Sequence, residues 1–310
     1  MTAGAGVSHG IYVWDRSNPG ARQEAERTAG TTIEPGRAYG FFTDTTLCIG
    51  CKACEVACKE WNQLPADDFR LSGTSYDNTR QLSATTWRHV YFVEQLDPER
   101  FAGLGGAPVE DWSQPGQRWL FMSDVCKHCV DAPCLEACPT GSIVRTEFDT
   151  VLVQQDICNG CGYCQTACPF GVVEIDSRRD GKAHKCTLCY DRLKDGLEPA
   201  CAKACPTDSI QFGPVDELLD RAQERARDLR QRGVPAYLYG SDGIMEDECD
   251  TSELHGLNCF FLLIDRPEVY NLPPAPRRPS SNTGPGLLAL TAAALALTAT
   301  TLLGFGIPDR

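Results

Sequence analysis

The stretch Cys126-Lys-His-Cys129-Val-Asp-Ala-Pro-Cys134-Leu-Glu-Ala-Cys138-Pro139 and the stretch Cys158-Asn-Gly-Cys161-Gly-Tyr-Cys164-Gln-Thr-Ala-Cys168-Pro169 decide how this chain folds. Each supplies three thiols at short gaps, then a fourth three residues on, followed by proline. Working outward, related sets recur: Cys48-x2-Cys51-x2-Cys54-x3-Cys58 upstream, with no proline after it, and downstream Cys186-x2-Cys189, then after eleven residues Cys201-x3-Cys205 and Pro206. Sixteen of the 18 cysteines therefore fall into four groups of four. This spacing suits [4Fe–4S] cubanes, each held through iron by four thiolates. Two-residue gaps let one tight turn point three sulphurs at one face of a cube, with backbone amides free to bond sulphur. The fourth cysteine is expected one turn into a following helix, facing away toward a second cube. The proline fits a loop end where no ladder N–H is needed.

Between the two central loops lies one short hairpin, residues 142–155, alternating apolar and polar in a strand period. These loops therefore read as one two-cluster, ferredoxin-like module. Cys126, Cys129, Cys134 and Cys168 would hold one cluster, and Cys138, Cys158, Cys161 and Cys164 the next. By elimination the outer loops pair, giving Cys48, Cys51, Cys54 and Cys205 for one cluster and Cys58, Cys186, Cys189 and Cys201 for the other. The expected fold is α+β: two nested dicluster modules plus a single C-terminal membrane helix, with four [4Fe–4S] clusters in all. Two other uses of cysteine compete. A disulfide framework belongs to small secreted domains without a core. Structural zinc also takes CxxC pairs, but needs no third cysteine and no fourth followed by proline.

A length of 310 residues suggests about two domains. The net charge of −13 argues against nucleic acid as a partner. All seven lysines (Lys52, Lys59, Lys127, Lys182, Lys185, Lys194 and Lys203) lie inside a cysteine loop or within five residues of one, and every other basic side chain of fixed charge is arginine. Ammonium groups there would offset the charge of anionic clusters and raise their potentials. His128 and His184 flank cysteines as polar neighbours rather than ligands. Cys249 and Cys259 fit no ligand spacing, and Cys259 opens the apolar run to Ile264 as an expected buried strand residue. No nucleophile, acid–base pair or nucleotide loop stands out, so no catalytic residue is assigned.

Along the chain, residues 1–38 read as an extended arm and 39–213 as the four-cluster body. The interruption between the first two loops carries strand candidates at 86–95 and 118–123, which would cover a cluster or form a docking surface. Residues 214–272 hold a helix over 214–232, with the stripe Val215, Leu218, Leu219, Ala222, Ala226 and Leu229, and strands near 236–240 and 259–265. A stiff proline-rich linker follows at 273–286. Residues 287–306 carry no charge; as a helix they rise roughly 30 Å, enough to cross a bilayer. Their Ala, Thr and Gly suit close packing against a membrane partner.

The stretch Cys48-Ile-Gly-Cys-Lys-Ala-Cys-Glu-Val-Ala-Cys-Lys-Glu-Trp-Asn62 resembles the first ligand loop of the iron–sulphur (beta) subunit of respiratory formate dehydrogenases. Gly181-Lys-Ala-His-Lys-Cys-Thr-Leu-Cys-Tyr-Asp-Arg192 and Pro199-Ala-Cys-Ala-Lys-Ala-Cys-Pro206 are similar to its fourth, and Pro267-Glu-Val-Tyr-Asn-Leu-Pro273 before one membrane helix matches the family's order. The four loops alone are shared with electron-transfer subunits of dimethyl-sulphoxide, nitrate and polysulphide reductases and of some membrane hydrogenases. The resemblance implies a non-catalytic electron-transfer subunit. Its partners would be a molybdenum or tungsten pterin catalytic (alpha) subunit and a cytochrome b (gamma) subunit that reduces quinone. The outer-loop module would face the catalytic subunit, and the central module the haem. Arg266, Arg277 and Arg278 precede the membrane helix and Arg310 follows it, which by the positive-inside tendency places the body in the cytoplasm. Family members commonly carry it outside, so the side stays open.

Overall fold

Strand β1, Tyr39–Asp44, is buried along its whole length and forms the spine of the molecule. Its aromatic and β-branched side chains suit a pleated surface covered on both faces. On one side it pairs antiparallel with β8, Ile210–Pro214, and on the other parallel with β10, Cys259–Leu263. Strand β9, Tyr237–Tyr239, completes a sheet in the order β8-β1-β10-β9. The continuous apolar run of β10 is what an interior strand needs. The computed structural model describes residues 33–66, 73, 77, 79–96, 117–241 and 251–305. Most of the arm expected over 1–38, and Cys249, lie outside these residues.

Alternation along β1 divides the core. Phe42 faces helix α6, Val215–Gln231, whose expected stripe Leu218, Ala222, Ala226 and Leu229 buries against Phe42, Phe260 and Leu262. The rings of Phe42 and Phe260 stack at 5.6 Å. Asp216 and Glu217 in the first turn bond Arg37, and Arg230 sits in the last turn, as the helix dipole favours. The neighbours of Phe42 point the opposite way. Tyr39 meets Phe148 edge-on at 6.0 Å, and Phe41 lies under the Arg88 guanidinium. One face of the sheet thus carries a helix, and the other carries the cysteine loops.

The loops themselves are joined by small elements. Strands β2, Arg88–Leu96, and β3, Gln117–Val125, form an antiparallel hairpin in the long interruption, as expected, and the expected central hairpin is β4, Ile143–Arg145, with β5, Val151–Val153. A two-residue ladder joins β6, Glu174–Ile175, to β7, Ala183–His184. Four short helices follow cysteines: α1, Ala53–Trp61; α2, Pro133–Glu136; α3, Tyr163–Ala167; and α5, Ala200–Lys203. A fifth, α4, spans Tyr190–Lys194. Helix α1 packs on α5, and α2 on α3. The outer loops therefore meet each other, and so do the inner ones.

Helix α7, Thr283–Phe305, has 23 residues, and residues 281–301 are exposed throughout. It is long and apolar enough to cross a membrane. Its threonines suit such a setting because they satisfy their own hydroxyls: Thr291 donates to the Leu288 carbonyl at 2.8 Å, Thr298 to Ala294 at 2.8 Å and Thr301 to Leu297 at 3.0 Å. A buried Ala/Leu helix of a soluble domain would instead have its side chains covered.

Candidate iron–sulphur centres

Every loop turns in the same way. The residue just before the second cysteine is left-handed in all four: Gly50 at φ 67°, His128 at 44°, Gly160 at 71° and Leu188 at 56°. For His128 and Leu188 this conformation is strained, and such strain persists only where the surroundings demand it. A turn of this kind can present backbone N–H groups to sulphur, the arrangement that cradles anions. In the fourth loop Leu188 N–H donates to Cys186 Sγ at 3.3 Å, and from strand β7, outside the third loop, Ala183 N–H donates to Cys158 Sγ at 3.4 Å. The third cysteine of loops one to three lies in the helix that follows. The fourth departs from expectation in part. Cys58 does sit within α1, but Cys138, Cys168 and Cys205 lie just past the ends of α2, α3 and α5. Those three helices have only four or five residues, too few to hold a cysteine four positions on.

The sixteen expected ligands come together in four groups. Cys48, Cys51, Cys54 and Cys205 line one cavity, with Ser123 and Val90 of the hairpin over it. Cys126, Cys129, Cys134 and Cys168 line another. Burial pushes the Cys58 thiol far up, and so do the charges of Cys186, Cys201 and Cys189 beside it. Burial likewise raises Cys164 to about 11, assisted by Cys158, Cys138 and Cys161. Mutual repulsion of this kind makes four bare thiolates untenable and marks each group as a site for positive charge. Among the described residues, no three Cys, His, Asp or Glu side chains converge on a point that would hold a single metal ion. A mononuclear zinc site needs its thiolates to meet at one atom, whereas a cubane takes them at separate corners.

The groups also stand in a row. Cys54 acts on Cys201 of the next group, Cys186 on Cys126 of the third, and Cys134 on Cys164 of the fourth. Most of the row is buried. Only Cys51, in the first group, and Cys161, in the fourth, are exposed among the sixteen.

Donors and cations surround the sulphurs. Ser123 Oγ lies 3.2 Å from Cys54 Sγ and Ser142 Oγ 3.2 Å from Cys138 Sγ. At Cys138 burial works upward, but Ser142, Thr140 and the N–H of Ile143 outweigh it and hold the thiol down, to about 7. Of the lysines, Lys127 is buried, paired with Asp124 and placed 5.0 Å from the Phe170 ring. Lys185 is buried too, donating to the Val151 carbonyl and, at 3.1 Å, to that of Cys186. Burial alone would lower its pKa, but the thiols of Cys126, Cys134, Cys186 and Cys168 raise it, so its ammonium stays charged. His128 accepts from Val151 N–H at 3.0 Å through Nδ1 and is held neutral by burial and by Lys185. His184 bonds Asp180 at 3.0 Å. Neither histidine is needed as a ligand. Cys259 is fully buried in β10, as its apolar run suggests.

Three features were not read from the sequence. The repeated phrases Cys138-Pro-Thr-Gly-Ser142-Ile143 and Cys205-Pro-Thr-Asp-Ser209-Ile210 carry the hydroxyls near sulphur, and their repetition was the available signal. A buried network joins Lys52, Glu55, Asp77 and His89, with His89 Nε2 2.8 Å from Asp77 and Nδ1 3.2 Å from Glu55. The third is Arg88, one of the largest fully buried side chains.

With this geometry in view, likeness to other proteins becomes specific. Residues 117–215 match the family model of a 4Fe–4S dicluster domain. The sequence is 38% identical over 240 residues to the nitrate-inducible formate dehydrogenase iron–sulphur subunit of Escherichia coli, covering 76% of this protein and 72% of that one. It is 37% identical to the formate dehydrogenase iron–sulphur subunit of Haemophilus influenzae, covering 76% and 68%. To the B subunit of the anaerobic dimethyl sulphoxide reductase of E. coli it is 33% identical over 58% of this protein and 75% of that one. A ferredoxin-type domain, four cysteine loops with the same left-handed turn and this degree of identity lead to one assignment: the protein belongs to the family of formate dehydrogenase iron–sulphur subunits, which are electron-transfer rather than catalytic components.

Proposed function

We propose that this chain carries four [4Fe–4S] clusters and passes electrons from a molybdenum or tungsten formate dehydrogenase catalytic subunit to a membrane cytochrome b that reduces quinone. The observation that carries the reading is the row of four cysteine quartets with an exposed cysteine in the group at each end. In it, Cys48, Cys51, Cys54 and Cys205 hold the first cluster and Cys58, Cys186, Cys189 and Cys201 the second. Cys126, Cys129, Cys134 and Cys168 hold the third, and Cys138, Cys158, Cys161 and Cys164 the fourth. The two ferredoxin-like modules are then nested, the outer loops enclosing the inner.

The residues present suit these groups. Each quartet offers four thiolates, amide and hydroxyl donors reach the sulphurs, and the Nε and Nη2 groups of buried Arg88 have no partner among the protein atoms. When bound, such a cluster supplies a one-electron site whose potential follows its charge, hydrogen bonds and exposure. The protein's share is to hold the sulphurs at fixed separation, keep water from the inner quartets, and set the local charge with Lys127, Lys185 and Arg88. Helix α7 would cross the bilayer and pack through its small residues on the cytochrome subunit.

The test is anaerobic purification of the chain with its natural partners, followed by iron and sulphide assay and a potentiometric titration by electron paramagnetic resonance. The expected result, after the iron and sulphide of the co-purifying molybdopterin and haem proteins are subtracted, is about sixteen iron and sixteen sulphide for this polypeptide, following four cubanes of four. Redox-silent zinc in the quartets would overturn it. The similarity to the B subunit of dimethyl sulphoxide reductase supports one other reading, the same wiring behind a different molybdopterin enzyme. Identification of the catalytic partner separates the two.

A further inference from the structure

We infer that Arg88 is a shared positioning residue between the first and second quartets, its guanidinium donating toward the clusters on both sides and holding their potentials together. The inference rests on the four-cluster reading above. Arg88 opens β2 and is 1% exposed. It lies over the Phe41 ring, 4.6 Å from the centroid, so one face of the guanidinium plane is closed by hydrocarbon. Its Nη1 donates to Ser123, at 3.2 Å to Oγ and 3.3 Å to the carbonyl, and the same Ser123 Oγ is 3.2 Å from Cys54 Sγ. One edge of the guanidinium is thus tied to the first quartet. Nε and Nη2 are buried without a hydrogen-bond partner. Among the described residues no carboxylate pairs with it. The thiols that act on it electrostatically are Cys201 and Cys186 of the second quartet, Cys54 of the first, and Cys259 of β10, which is in neither.

A guanidinium cannot shed its proton to escape burial, and an unpaired buried cation costs several kcal/mol. Two unsatisfied donors add to that cost. Both penalties vanish if anionic sulphur lies along the free edge. Lysine would not serve, because a point charge cannot present separated donors to two sites. No bond forms or breaks at Arg88 during turnover. With clusters bound, an electron lost by the first would be the one gained by the second, and the fixed positive charge of Arg88 would lower the cost of the reduced state on either side.

The test uses the full complex, purified anaerobically as wild type, Arg88→Met and Arg88→Lys, with signals assigned through Cys51→Ser and Cys189→Ser. In Arg88→Met the first- and second-quartet clusters should each become at least tenfold harder to reduce at fixed potential, a fall of about 59 mV or more for one electron. The fourth-quartet signal, remote in the row, should not move. Arg88→Lys should restore one of the two potentials and not both. Full iron content with neither potential moved, or only one moved in Arg88→Met, overturns the inference. Where Arg88→Met fails to assemble, Arg88→Lys decides: both potentials unchanged overturns the inference, and one shifted supports it. A wild-type complex lacking four cluster signals would instead defeat the four-cluster reading itself.

Discussion

Replacing Gly160 by alanine tests whether the third loop is held by a close backbone approach. Gly160 has φ 71°, and a Cβ built on it would stand 1.9 Å from the Gly181 carbonyl oxygen and 3.1 Å from its carbon. The oxygen would have to retreat by roughly 1 Å to reach the shortest separation real Cβ atoms show. That segment cannot retreat freely. Ala183 N–H donates to Cys158 Sγ at 3.4 Å, Gln155 Nε2 donates to the Ala183 carbonyl at 2.8 Å, and Lys182 bonds the Gln155 carbonyl. Gly162 is the natural control, since it has φ 81° and nothing within 4 Å of a built Cβ. Alanine at either position incurs about 1–2 kcal/mol for the left-handed backbone. Only Gly160→Ala also strains the two bonds to Ala183, each worth about 1 kcal/mol net. The variants should therefore differ by about 2 kcal/mol, or about 4–8 °C in apparent melting temperature for a body of this size. Anaerobic iron assay and thermal bleaching of the thiolate-to-iron absorption give the readout. Gly160→Ala should lose the fourth-quartet signal and about a quarter of its iron, with Gly162→Ala near wild type. Equal iron and equal thermal loss in both would refute the argument.

Other expectations follow from the same geometry. Lys185→Met removes an ammonium that faces Cys126, Cys134, Cys186 and Cys168, so the second- and third-quartet potentials should fall by about 59 mV, a tenfold change in the reduction equilibrium; redox titration of the complex checks this. Leu218→Ala opens a cavity under α6 among Phe42, Phe260 and Leu262, at a cost of about 2–5 kcal/mol. It should lower the apparent melting temperature while leaving the iron content at low temperature intact. Burial would lower the pKa of His89, but its bonds to Asp77 and Glu55 outweigh that and raise it. Its contribution to stability is therefore full below the unfolded value of about 6.5 and is lost as pH rises through the higher folded value. The stability gap between wild type and His89→Gln should narrow between pH 6 and pH 9 in thermal melts, and a gap that widens would contradict the ion-pair account.

What the sequence disclosed was whatever a local rule repeats. The cysteine spacings, the stripe at Leu218, Ala222, Ala226 and Leu229, and the uncharged run before Phe305 each obey a period or a motif, and each corresponds to an element found. Where local rules fell short, the cause was geometric. The placement of Cys138, Cys168 and Cys205 beyond their helices depends on how soon each helix stops, and helices of four or five residues have no period to read. The pairing of β1 with β10 joins residues more than two hundred positions apart, and nothing local specifies it. Arg88 was hidden for a different reason. In a strand that alternates faces, a charged residue reads as pointing to solvent, and only the anionic surroundings reverse that expectation. A buried cation is offset where cluster sulphur would bring negative charge inside, as the proposed function has it. With the proposed clusters bound, the interior of this protein would be electrostatically inverted relative to an ordinary core. Polar side chains beside the cysteine quartets are accordingly to be read as partners of that interior charge before they are read as surface.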